Sequence, residues 1–172
     1  MKNEYLIVVD MQNDFIDGAL GSKEAQAIVP GVIEAIKGFK GEVIYTRDTH
    51  HSNYLQTQEG RMLPVEHCFA DTPGWQLYPA IDELAKGHLI IDKDSFGPVT
   101  LPRYMKEKGE PDTIVVLGLC TDYCVLVTAI LMKAHFPEAE IFVDARNCAA
   151  TLPENHEPAL KTMETCQIHI LR

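Results

Sequence analysis

Several features are missing from this sequence, and each absence narrows the reading. No apolar run approaches the roughly 18 to 20 residues of a membrane span, so no membrane partner is expected. No Lys/Arg cluster stands out in a chain of formal net charge −10, and a nucleic-acid binder needs such a basic footprint. The opening stretch, MKNEYLIVVDMQNDF, lacks the long apolar core and small-residue cleavage site of a signal peptide. No repeat, low-complexity segment or linker interrupts the chain, and its Gly and Pro residues are scattered. There is no CxxC among the five cysteines, Cys68, Cys120, Cys124, Cys148 and Cys166. Their odd number and irregular spacing argue against a disulfide framework and against a zinc ribbon. The expectation is one domain over residues 1–172, with an ample core, soluble and cytoplasmic.

Six short runs read as buried strands: 5–9, 42–46, 88–92, 113–118, 140–145 and 167–171. They are β-branched and almost continuously apolar, as in a sheet covered on both faces. Between them, 30–39, 121–136 and 153–166 read as helices, with Pro near the start of the first and Pro158 disturbing the last. Thr121 and Asp122 look like N-cap residues. This alternation predicts a doubly wound, three-layer α/β/α (Rossmann-like) fold with a mostly parallel six-stranded sheet. Ligands in such folds bind beyond the carboxyl ends of the strands. The rule selects Asp10, Arg47, Asp48, His50, Asp92, Lys93, Asp94, the Cys120–Cys124 segment and Asp144. The long irregular stretch over 48–78 belongs to the same end, and connections of that length are commonly functional.

The segment VVLGLCTDYCVLV reads as strand, tight turn and helix start. Cys124 would occupy the first helical turn, where outward-pointing amides and the helix dipole favour a thiolate and could hold a developing oxyanion. A buried, inert thiol fits the spacing equally well. Cys120, on the turn itself, is the weaker nucleophile candidate, and Cys68, Cys148 and Cys166 are expected to be packing residues. The nearest histidine in sequence, His135, lies at the far end of the same helix. Asp10 and Lys93 instead follow strands expected to neighbour the fourth. A carboxylate there could accept the thiol proton, and an ammonium could stabilise the thiolate.

The ordered segments LIVVDMQNDFIDGAL, YTRDTHHSNY, LPVEHCFADTPGW, IDKDSF and VVLGLCTDYCVLVTA resemble the isochorismatase-like cysteine hydrolases, and within them the nicotinamidase branch. The likeness runs from residue 5 to about residue 166. It implies a catalytic triad of Cys124 as nucleophile, Asp10 as general base and Lys93. It implies a cis peptide at Leu119–Cys120, with the backbone amides of Cys120 and Cys124 as the oxyanion hole. It also implies a divalent metal on Asp48, His50 and His67, with Glu59 as candidate fourth ligand and His51 second. Imidazole and carboxylate together suit zinc first, with iron or manganese as alternatives. In such enzymes the substrate's pyridine nitrogen meets the metal. Phe15 and Tyr123 would line the pocket, with Trp75 further off.

The resemblance therefore implies an amidohydrolase acting on a small-molecule amide, nicotinamide first, through a thioester on Cys124. It also suggests a homo-oligomer. The stretch LPVEHCFADTPGW departs from the W-P-x-H-C-x-x-G-T-x-G pattern common in that branch. Leu63 replaces the aromatic, one extra residue separates Pro64 from His67, and Asp71 replaces the first Gly. These changes touch the pocket wall, so another small amide or a carbamoyl compound is the alternative substrate. A Cys120/Cys124 redox couple is a rival reading, disfavoured because a helix start does not readily bring both sulfurs together. A catalytically silent binding protein on the same fold is a second rival.

Overall fold

The computed structural model describes residues 3–172. Its strands are β1 (Glu4–Val9), β2 (Glu42–Asp48), β3 (Leu89–Lys93), β4 (Thr113–Leu119), β5 (Glu140–Ala149) and β6 (His169–Leu171). Its helices are α1 (Asn13–Ile16), α2 (Lys23–Gly38), α3 (Gln58–Met62), α4 (Pro79–Ala85), α5 (Leu101–Lys108), α6 (Leu126–His135) and α7 (Pro153–Thr165). The strands form one parallel sheet in the order β3-β2-β1-β4-β5-β6. The central strands are buried on both faces, which is why β1 and β4 read as unbroken apolar runs. Edge strands β3 and β6 are more exposed. Right-handed crossovers put α2 and α4 on one face and α5, α6 and α7 on the other.

The order reverses between β1 and β4, and such a switch point opens a crevice at the strands' carboxyl ends. Gly118 makes the close approach there possible. It adopts φ +118°, and a Cβ would run into the carbonyl oxygen of Val9. The β4–β5 register shifts between Val116 and Gly118. The next peptide, Leu119–Cys120, is cis.

Several sequence expectations are corrected. The helix expected over 30–39 begins at Lys23, where the Ser22 hydroxyl accepts from the Ala25 N–H at 3.0 Å, and Pro30 lies inside it. A proline this far along removes one backbone donor without ending the helix. Pro158 likewise lies within α7, which starts at Pro153. The last strand is shorter than 167–171 because Gln167, at φ +65°, and Ile168 donate backward to the Glu164 and Met163 carbonyls, closing α7. Helices α1, α3, α4 and α5 were not singled out by pattern, being four to eight residues long.

Asp144 is not at a strand end, since β5 continues to Ala149. It accepts from Arg146 at 2.8 and 3.0 Å and from Asn147 Nδ2 at 3.0 Å, a local structural clamp. Cys166 is exposed rather than packed, whereas Cys68 and Cys148 are buried.

Candidate active site

Lys93 ends β3, and Asp48, its register partner, ends β2. Asp10 directly follows β1, and Cys124 lies in the helical turn that follows β4. Strand β3 is not a neighbour of β4, contrary to expectation, because β2 and β1 intervene. The length of the lysine side chain spans the gap. Its Nζ lies 2.8 Å from Asp10 Oδ2, 3.1 Å from Asp48 Oδ1 and 3.4 Å from Cys124 Sγ. Asp10, at φ +48°, is fully buried, and its Oδ1 accepts from the Thr46 hydroxyl at 2.6 Å.

The electrostatics follow from this arrangement. Burial works against the charge on Lys93, but Asp10, Cys124 and Asp48 outweigh it and raise its pKa well above the ordinary value. Burial raises the Asp10 carboxyl, Lys93 opposes the rise, and Asp48 adds to it; the net direction is upward. Burial also pushes the Cys124 thiol well up; Lys93 opposes this, while Asp10 and Asp48 reinforce it. The expected ease of ionisation at a helix start is not what results, since burial pushes the thiol up. Both shifts run the same way: they disfavour a thiolate on Cys124 and make the Asp10 carboxylate a stronger proton acceptor.

The turn holding Cys124, Thr121–Val125, is π-helical and continues into α6. Thr121 and Asp122 do not cap it, because Cys120 is the N-cap residue and makes no side-chain cap bond. Both side chains instead tie the turn to the first turn of α7 and the residues just before it. The Thr121 hydroxyl lies 2.9 Å from His156 Nδ1. Asp122 accepts from the Thr151 N–H and hydroxyl and from Asn155 Nδ2.

On the other side of Asp48, four donor groups converge. One ligand atom each from Asp48, His50, Glu59 and His67 lies within 4.8 Å of the others. His50 Nε2 is 2.9 Å from Asp48 Oδ2 and 3.6 Å from Glu59 Oε1, and His67 Nε2 is 3.5 Å from Asp48 Oδ2. The chemistry of the set fits a divalent cation. His50 Nε2 is buried and, although 2.9 Å from Asp48 Oδ2, makes no well-aligned hydrogen bond among the described residues. His67 Nδ1 lies 2.7 Å from the Val65 carbonyl, so a proton there leaves Nε2 free to ligate. Two imidazoles with two carboxylates suit zinc, iron or manganese. His51 is exposed and outside the group.

Phe15 is buried edge-on to His67, with ring centroids 5.5 Å apart. Tyr123 is exposed and packs edge-to-face on Phe96 at 5.3 Å. Trp75 lies under the Arg47 guanidinium instead. Phe96, Thr46 and Tyr54, whose ring lies against both His50 and His67, were missed by sequence reasoning. Phe96 is three residues past Lys93 in IDKDSF, which was the available signal. Thr46 and Tyr54 both lie in YTRDTHHSNY, beside Asp48 and His50, and that segment was their signal.

The profile of the isochorismatase domain family matches residues 4–172. A nicotinamidase of Acinetobacter baylyi is 30% identical, with 81% of this chain and 79% of that protein aligned. The nicotinamidase/pyrazinamidase of Mycobacterium tuberculosis is 27% identical over 96% of this chain and 97% of its own. Among solved structures, the pyrazinamidase of Pyrococcus horikoshii in complex with zinc superposes with a TM-score of 0.86 at 31% identity, covering 99% of both chains.

Proposed function

The chain belongs to the isochorismatase domain family, and from that membership we propose that it is a metal-assisted cysteine amidohydrolase converting nicotinamide and water to nicotinic acid and ammonia. The observation carrying this reading is the position of Lys93 Nζ, which meets Asp10, Asp48 and Cys124 at once. The named activities of the relatives, nicotinamidase and pyrazinamidase, support the substrate.

Asp10 takes the proton of Cys124 as the sulfur adds to the amide carbonyl, because the buried thiol does not ionise beforehand. Lys93 stays protonated and balances the charge that moves from carboxylate to sulfur. The backbone N–H groups of Cys120 and Cys124 receive the carbonyl oxygen as it becomes an oxyanion. The proton on Asp10 passes to the departing nitrogen, the C–N bond breaks, ammonia leaves, and a thioester remains on Cys124. Water then gives a proton to Asp10 and attacks the thioester. The acid leaves, and Asp10 returns the proton to the sulfur. Asp48, His50, Glu59 and His67 would hold a divalent ion, zinc first, which supplies a Lewis-acidic centre with open positions beside the thiol. Phe15 and Tyr123 flank the substrate ring.

The test is ammonia release from nicotinamide by zinc-loaded enzyme. Cys124→Ala should lower it by on the order of 10⁴-fold or more while nicotinamide binding persists. Full activity in that variant would end the cysteine mechanism. The altered wall at Leu63 and Asp71 favours one second reading, the same chemistry on another small amide or a carbamoyl compound. Zinc binding without ammonia release from nicotinamide would select it.

A further inference from the structure

Gln12 is no member of the Lys93 group and no metal ligand, yet it is fully buried. Its side-chain amide grips both sides of the Asp48 backbone. Oε1 accepts from the Asp48 N–H at 2.7 Å, and Nε2 donates to the Asp48 carbonyl at 2.9 Å. Nε2 also donates to the Trp75 carbonyl at 2.8 Å. The Trp75 indole in turn carries the Arg47 guanidinium at 3.6 Å and donates to the Thr49 hydroxyl at 2.8 Å. The residues on either side of Asp48 are thereby held as well.

Two residues further on, Asp14 Oδ2 accepts from the Cys68 N–H at 2.7 Å. That N–H belongs to the peptide joining His67 to Cys68. Gly74 lies so close to Asp14 that a Cβ would collide with its carboxylate, and the Gly74 carbonyl accepts from the Asp14 N–H at 3.0 Å. One side chain therefore ends on the main chain of Asp48 and the other on the main chain of Cys68, directly after His67. Ligation requires donor atoms about 2.0–2.2 Å from the ion, with roughly 0.2 Å of tolerance. A small drift of either loop would break the set.

We propose that Gln12 and Asp14 are positioning residues that fix the relative placement of Asp48 and His67 and so set the affinity of the site for a divalent cation. This rests on the metal-site reading above. The test is zinc affinity, measured by competition with a chromophoric chelator, for the wild type, Gln12→Met, Asp14→Ala and Asp14→Asn, with melting of the zinc-free proteins in parallel. Gln12→Met keeps the volume and loses all three hydrogen bonds. It and Asp14→Ala should each bind zinc about 10- to 100-fold more weakly. Asp14→Asn keeps an oxygen for the Cys68 N–H and should recover most of the affinity.

A merely structural role would lower the zinc-free melting temperature and leave affinity in the folded variants within twofold of wild type, which would overturn the inference. If Gln12→Met does not fold, the Asp14 pair decides. A wild type that binds no zinc would overturn the metal-site reading and this inference together. Wild-type binding with unchanged variants overturns this inference alone.

Discussion

Lys93 shows how one side chain can organise a site. It lies in a buried setting that disfavours its charge, and the carboxylates of Asp10 and Asp48 hold the charge there. Tyr45, away from the chemistry, shows burial acting with no opposing charge. Its hydroxyl donates to the Leu84 carbonyl at 3.2 Å, and burial pushes its pKa up to about 12. An unfolded tyrosine ionises near 10. Between pH 10 and 12 the unfolded chain therefore gains ionisation energy that the folded one does not, and stability falls. Wild type should lose about 2–3 kcal/mol more over that window than Tyr45→Phe, as read by urea unfolding at each pH. Equal losses would show that Tyr45 titrates alike in both states. At this scale much of the site was legible. Asp10, Lys93 and Cys124 each stand at or just past the carboxyl end of an apolar run, and strand-end rules find such residues. Gln12 was not legible in its role, although it lies in the quoted motif. Its hydrogen bonds reach backbone 36 and 63 residues away, and no local spacing encodes that.

Among the elements, the end of β4 carries the most constraint. Gly118 has a backbone conformation that side chains avoid, and the Val9 carbonyl occupies the space a Cβ would need. Gly118→Ala should cost about 2–4 kcal/mol in unfolding free energy, measured by denaturant titration. It should also reduce turnover in the fraction that folds, because Cys120 and Cys124 follow directly. A variant as stable and active as wild type would mean the two strands can separate freely here. The strands were readable because a doubly covered parallel sheet makes them nearly continuously apolar. Helix starts were less readable. The proline in α2 suggested a beginning, while the real start is set by the hydroxyl of Ser22, eight residues before Pro30. Sheet order was not readable from pattern, so β3 was wrongly expected beside β4.

For the molecule as a whole, the ion binding proposed above would couple to stability. A ligand that binds only the folded state at a hundred times its Kd adds about 2.7 kcal/mol. In a chain of 172 residues each kcal/mol moves Tm by about 2–4 °C. Chelation should therefore lower Tm by about 5–10 °C, and zinc should restore it, as calorimetry would record. The same treatment of Asp48→Ala or His67→Ala should shift Tm little, since the ligand set is already broken. An unchanged wild-type Tm would contradict tight, folding-coupled binding.

Asp48 presents one oxygen to Lys93 and the other to the two histidines. Around it, Asp10 and Glu59 add two further carboxylates against a single ammonium. When these are ionised the cluster carries an excess of two negative charges, the amount one divalent ion neutralises. The carboxylates also treat the two ends of the proposed reaction unequally. A neutral amide enters without charge repulsion, whereas hydrolysis creates an anion among carboxylates. Without a bound ion that anion is repelled; with one bound the excess is cancelled, so the ion's charge governs how firmly the acid product is held.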